Sequence, residues 1–98
     1  MAEPHAVRLL ISGRVQGVGF RAWAARKAAD LGLSGWVRNL TDGRVEALAH
    51  GPAVDVARFI QLCHRGPVMA RVDLVDAQSA GTASPGPGFE QRPTADPA

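Results

Sequence analysis

The run Gly13-Arg14-Val15-Gln16-Gly17-Val18-Gly19-Phe20-Arg21 gathers the residues of this chain best suited to chemistry. Glycines at 13, 17 and 19 let the backbone turn tightly, and successive N–H groups in such a turn can converge as an anion nest. An Ala-rich segment follows, Ala22 to Leu31. As a helix, it adds unpaired N–H groups and the positive end of its dipole at the same place. Arg21 stands at that start with a full charge and a planar fork of donors. A cation there opposes the dipole, a placement that makes sense when an anion lies between them. The combination suits an oxyanion, foremost a phosphate. Glycines alone would be explained equally well by a plain flexible turn.

Elsewhere the reactive side chains read as structural. His5, His50 and His64 are too scattered for a metal-ligand spacing, and no metal is expected. His64 and Arg65 close a helical segment, where cations complement the dipole. Cys63 is the sole cysteine, so no internal disulfide forms. It lies on the inner stripe of a helix and reads as a small core residue rather than a nucleophile. Trp23 and Trp36 read as core or cleft wall. Asn39 lies just before a turn, and turn chemistry accounts for it.

The elements that must position these groups follow from periodicity. After a loose start over residues 1–6, Val7 to Arg14 reads as a buried strand. Phe20 to Leu31 reads as a helix, with Phe20, Trp23, Ala24, Ala28 and Leu31 on one face and Gly32 as its stop. Gly35 to Leu40 and Arg44 to Ala49 form a hairpin around Thr41-Asp42-Gly43. Pro52 suits the first turn of a second helix over Ala53 to Arg65, whose inner stripe is Val56, Phe59, Ile60 and Cys63; Gly66-Pro67 ends it. Arg71 to Gln78 alternates imperfectly, with Val72 and Leu74 on one side. Residues 80–87 read as loop, 88–92 as a weak last strand, and the rest as a mobile tail. The order β-α-β-β-α-β is ferredoxin-like: an α+β sandwich with two helices on one face of an antiparallel sheet.

This order disposes of a decoy. Gly17-Val18-Gly19-Phe20-Arg21-Ala22 matches G-x-G-x-x-A between a strand and a helix, as in dinucleotide binding. The domain is too short for a doubly wound sheet, and the next strand returns as a hairpin instead of crossing over. No Gly-Lys-Ser/Thr is present, which removes a nucleotide P-loop.

Composition bounds the rest. Ninety-eight residues make one small domain, residues 1–98, with the core expected over about 7–79. The formal net charge of +2 is mild, and the arginines are spread rather than massed. With 5% aromatics and no tyrosine, a base-stacking platform is not expected, and neither is nucleic acid as a partner. No long apolar run marks a signal peptide or a membrane span, so a cytoplasmic location is expected, and nothing in the sequence demands more than a monomer.

The chain resembles the acylphosphatase family. The likeness is carried by Gly13 to Arg21 and by a second run, Gly35-Trp36-Val37-Arg38-Asn39, followed by Asp42-Gly43. It covers about residues 7–79. The resemblance implies hydrolysis of the carboxyl–phosphate bond of a small acylphosphate, with no metal or cofactor. It implies Arg21 as the phosphate-binding arginine and Asn39 as the residue orienting the attacking water. Backbone N–H groups from Arg14, Val15, Gln16, Gly17, Val18, Gly19 and Phe20 would face the phosphoryl oxygens. The chain departs from the family pattern in places. Leu40 stands where many relatives carry a hydroxyl, and Gln91 where they are usually apolar; Pro93 cannot donate to a strand ladder. Two other readings share the cradle. One is a non-enzymatic module binding an anion or a partner. The other is a carbamoyl-phosphate-handling domain, like the one at the start of a hydrogenase-maturation carbamoyltransferase. That domain comes fused to others, whereas this chain ends at Ala98.

Overall fold

The computed structural model of the chain describes residues 4–98. In chain order the elements are β1 (Pro4–Arg14), α1 (Phe20–Asp30), β2 (Ser34–Asn39), β3 (Val45–Pro52), α2 (Ala53–Arg65), β4 (Arg71–Ser79) and β5 (Phe89–Gln91). The strands form one sheet in the order β4-β1-β3-β2-β5. Four of them are antiparallel to their neighbours, as expected from the β-hairpin and the helical crossovers. The fifth corrects the all-antiparallel expectation: β5 runs parallel to β2, so the sheet is mixed. The reason is topological. After β4 the chain crosses to the far edge of the sheet and arrives there in the direction of β2.

Both helices cover the same sheet face. Leu9 and Ile11 of β1, Val37 of β2, and Val45, Ala47 and Ala49 of β3 meet Phe20, Ala24 and Ala28 of α1 and Val56, Phe59 and Cys63 of α2. Alternation along each strand puts these residues on one side. The helix ends follow local chemistry. In α2, Asp55 lies in the first turn and His64 and Arg65 in the last, each favourable to the dipole, and Gly66 takes a φ of 69° just beyond. Pro52 is not in the first turn; it precedes α2 as the last residue of β3, paired with Pro4. Leu31 caps α1 instead of belonging to it.

Three further differences have physical causes. Of the loose start, residues 1–3 lie outside the described residues, while Pro4 to Ala6 extend β1 because β3 continues alongside to Pro52. Between β1 and β4 the register shifts at Ser12/Gly13, with Asp73 of β4 left over. This bulge turns Val72 and Val75 toward the core and leaves Leu74 59% exposed, which explains the imperfect alternation. Glu46, on the helix-free face, is only 3% exposed. Its two carboxylate oxygens each receive an arginine fork, Arg8 on one at 2.6 Å and Arg38 on the other at 2.7 Å.

The short β5 is held by Phe89, whose ring meets Phe59 edge-on at 5.7 Å. The segment read from composition as a tail runs on beside β2. Arg92 N–H donates to Val37 O, Ala95 N–H to Asn39 O, and Thr41 N–H to Ala95 O.

Phe59 is fully buried at the meeting point of α2, the sheet and β5. Phe59→Ala is expected to destabilise the fold by about 3–5 kcal/mol. Equilibrium urea unfolding checks this; a loss below about 1 kcal/mol would contradict the packing described.

Candidate active site

The β1–α1 loop, the first turn of α1, the end of β2 and β5 enclose a cleft of about 250 Å³. Its lining is Val15, Gly17, Gly19, Phe20, Arg21, Ala22, Asn39 and Gln91. The loop is shaped by Gly17 and Gly19, with φ of 73° and 78°. Nothing lies within 4 Å of where a Cβ would stand at either position. Backbone conformation therefore calls for glycine there, not crowding. Val15 and Phe20 are buried and pin the two ends of the loop into the core.

The loop's donors are left open. Among the described residues, no backbone N–H from Val15 to Gly19 finds an acceptor. The N-cap of α1 is Gly19, with no side-chain capping bond and no acidic residue in the first turn. The positive end of that helix thus opens into the cleft without a built-in counterion. Gln16 turns the other way. Its side-chain amide donates to Leu40 O at 2.7 Å and Arg44 O at 2.9 Å, stapling the loop to the β2–β3 turn.

Arg21 is half-buried, and its Nη1 donates to the Arg92 carbonyl at 3.2 Å. One N–H of the guanidinium is thereby committed, and the group is aimed while its other donors remain. Arg92 is itself fixed. Its guanidinium donates to Glu90 and stacks 5.0 Å from the centre of the Trp36 ring. Arg38 lies over the same ring at 4.5 Å. Trp36 is accordingly neither core nor cleft wall; it sits half-buried on the helix-free face. Trp23 packs against the core beside Phe20, at 5.3 Å.

Asn39 ends β2, and its side chain lines the cleft without a hydrogen-bond partner among the described residues. Its backbone carbonyl is bonded by Ala95 N–H, which holds the residue in place. The neighbouring turn is bonded within itself: Asp42 accepts from Arg44 N–H at 3.0 Å and from its guanidinium at 2.8 Å. The Arg44 side-chain bond holds the Asp42 carboxyl below its usual range. Leu40 is buried, at 1% exposure, so the position where a hydroxyl would be expected is filled by packing. Burial pushes the Cys63 thiol up to about 12, which leaves it protonated and inert at neutral pH.

Of the residues read from sequence as phosphate-facing, Val15, Gly17, Gly19 and Phe20 line the cleft together with Arg21 and Asn39. Arg14, Gln16 and Val18 do not. Arg14 is exposed and pairs with Arg71 across the sheet, Gln16 is the staple, and Val18 packs against the core. Ala22, Gln91 and the Arg92 carbonyl were not anticipated. Only Gln91 left a trace in the sequence, as a polar residue at an expected apolar position.

An open set of N–H donors, an uncapped helix start and a guanidinium make an oxyanion site with an amide on its flank. Inorganic phosphate at about ten times its Kd should therefore stabilise the fold by about 1.4 kcal/mol. A thermal melt would move up by several degrees. Gly19→Val, which disfavours the left-handed cap, should abolish that shift, and an unchanged melting temperature in the unaltered protein would contradict the site.

Comparison with known proteins gives a consistent set of likenesses. A family model described as acylphosphatase matches residues 7–91. An acylphosphatase from Rhizorhabdus wittichii is 50% identical over 92 residues, covering 91% of this chain and 89% of that protein. The structure of an acylphosphatase from Coxiella burnetii superposes with a TM-score of 0.87 at 32% identity, covering 92% of this chain and 94% of that one. Full-length HypF, in its phosphate- and nucleotide-bound form, matches with a TM-score of 0.88 at 24% identity over 98% of this chain and 13% of HypF, a likeness of fold.

Proposed function

The chain belongs to the acylphosphatase family and hydrolyses acylphosphates to a carboxylate and inorganic phosphate, and we propose that Arg21 and Asn39 carry that reaction. The supporting observation is convergence. Open loop N–H groups, the start of α1, Arg21 and Asn39 meet in one cleft small enough for a phosphoryl group and a modest acyl group.

The phosphoryl group sits in the loop, its oxygens receiving N–H donors from the segment between Val15 and Phe20. Arg21 binds two oxygens with its remaining donors. Charge in the transition state spreads over the equatorial oxygens, so fixed donors stabilise it without reorganising. Asn39 offers both an acceptor and a donor, and holds a water in line with the carboxylate leaving group. The leaving carboxylate is a weak base and needs no general acid. The water's proton passes to the substrate's own phosphate, so the site works without a histidine or carboxylate base. The Arg92 carbonyl keeps the guanidinium aimed between turnovers.

The same reading takes residues 1–98 as one acylphosphatase domain acting as a cytoplasmic monomer, with a small acylphosphate and not a nucleic acid as its partner. No helix of the described residues is long and apolar enough to cross a membrane.

Benzoyl phosphate hydrolysis tests the assignment. Arg21→Ala should lower kcat/KM by about 10²–10³-fold or more and abolish inhibition by inorganic phosphate. Asn39→Ala should lower kcat on a similar scale while phosphate inhibition stays near that of the unaltered enzyme. Full activity in either variant overturns its role.

A further inference from the structure

We infer that Gln91 is the residue that reads the acyl half of the substrate, favouring acyl groups with a hydrogen-bonding substituent beside the carbonyl over aryl ones. The inference rests on the acylphosphatase reading of the cleft. Gln91 lines that cleft with Arg21 and Asn39, it is exposed, and its side chain has no hydrogen-bond partner among the described residues. Its position is set by its neighbours. It pairs with Val37 in the parallel β2–β5 register, and it is in phase with Phe89, which packs into the core. Residues two apart on a strand share a face, so Gln91 is on the side that carries α1 and the loop. Arg92, next in the chain, is tied to Val37 by its N–H and to Arg21 by its carbonyl, which keeps this stretch in register with the site.

The chemistry narrows the role. The phosphoryl oxygens already have the loop N–H groups, the start of α1 and Arg21, all cationic or strongly donating. An uncharged amide adds little to that charge balance, and the phosphoryl group fills the loop end of a cleft of only about 250 Å³. The part of the substrate left for Gln91 is the acyl group. A primary amide offers one donor face and one acceptor face. It complements a group that presents a carbonyl oxygen next to an N–H or O–H, such as a carbamoyl or 2-hydroxyacyl group. An aryl ring offers it no hydrogen-bond partner, so that contact is lost.

Carbamoyl phosphate and acetyl phosphate differ by an amino group in place of a methyl, nearly the same size, and so isolate this hydrogen bond. The test compares kcat/KM for carbamoyl, acetyl and benzoyl phosphate in the unaltered enzyme, Gln91→Leu and Gln91→Ala, with inhibition by inorganic phosphate as a control. Both variants should lower the carbamoyl-to-acetyl ratio by about three- to tenfold, the scale of one hydrogen bond between neutral groups. The benzoyl-to-acetyl ratio should hold or rise, and phosphate inhibition should stay unchanged. An unchanged carbamoyl-to-acetyl ratio in an active variant overturns the role of Gln91 and leaves the acylphosphatase reading standing. Loss of phosphate inhibition overturns it too, by placing Gln91 on the phosphoryl half. Failure of the unaltered enzyme to hydrolyse all three substrates overturns both readings.

Discussion

The arrangement on which everything else depends is a concentration of positive potential with no counterion of its own. A loop whose N–H groups lack acceptors, an uncapped helix start and Arg21 border one small cleft. Folding alone does not favour that grouping, because a cation at the positive end of a helix is repelled. The structure supports it from outside. Gln16 staples the loop to the β2–β3 turn, and Gly17 and Gly19 adopt the left-handed backbone that shapes the loop. In the proposed reaction an anionic substrate completes that charge balance on binding.

The second support comes from the end of the chain. β5 is only three residues long, and a strand that short has little cohesion of its own. It is anchored by Phe89 against Phe59 and by backbone bonds along β2 that continue to Ala95. Arg92 joins the two faces of the sheet. Its side chain stacks on Trp36 and bonds Glu90 on the helix-free face, while its carbonyl receives Arg21 on the other. The helix-free face is thereby part of the scaffold of the site, and the buried Glu46 between Arg8 and Arg38 stiffens the same strands.

Most of this fold was legible because it is written in side-chain periodicity and punctuation. The apolar stripes of α1 and α2 and the Asp42-Gly43 turn each leave a pattern in residue types, and so does the stop at Gly66. The cradle was legible for a different reason: an arginine at an uncapped, glycine-preceded helix start is unusual enough to need a ligand. What escaped the sequence was carried by the backbone or by distant neighbours. The parallel pairing of β5 and the docking of residues 92–95 rest on N–H and C=O groups that every residue has. The hold on Arg21 is a carbonyl, which has no residue signature. The burial of Glu46 escaped as well, because nothing in the residue types says that arginines from two neighbouring strands close over it. The side chains of Arg14, Gln16 and Val18 turn to the strand edge, the β2–β3 turn and the core, which a loop motif naming a whole stretch does not reveal.

The central claim is that phosphate is held by the open N–H groups between Val15 and Phe20 together with Arg21. The most direct measurement is a ¹H–¹⁵N NMR titration of the uniformly labelled protein with inorganic phosphate, following the backbone amides and the arginine Nε–H signals. The account predicts saturable downfield shifts of the loop amides and of Arg21 Nε–H with one common Kd, and small shifts across α2 and β4. Shifts that saturate elsewhere, on the arginines of α2 for example, with the loop amides unmoved, would contradict it.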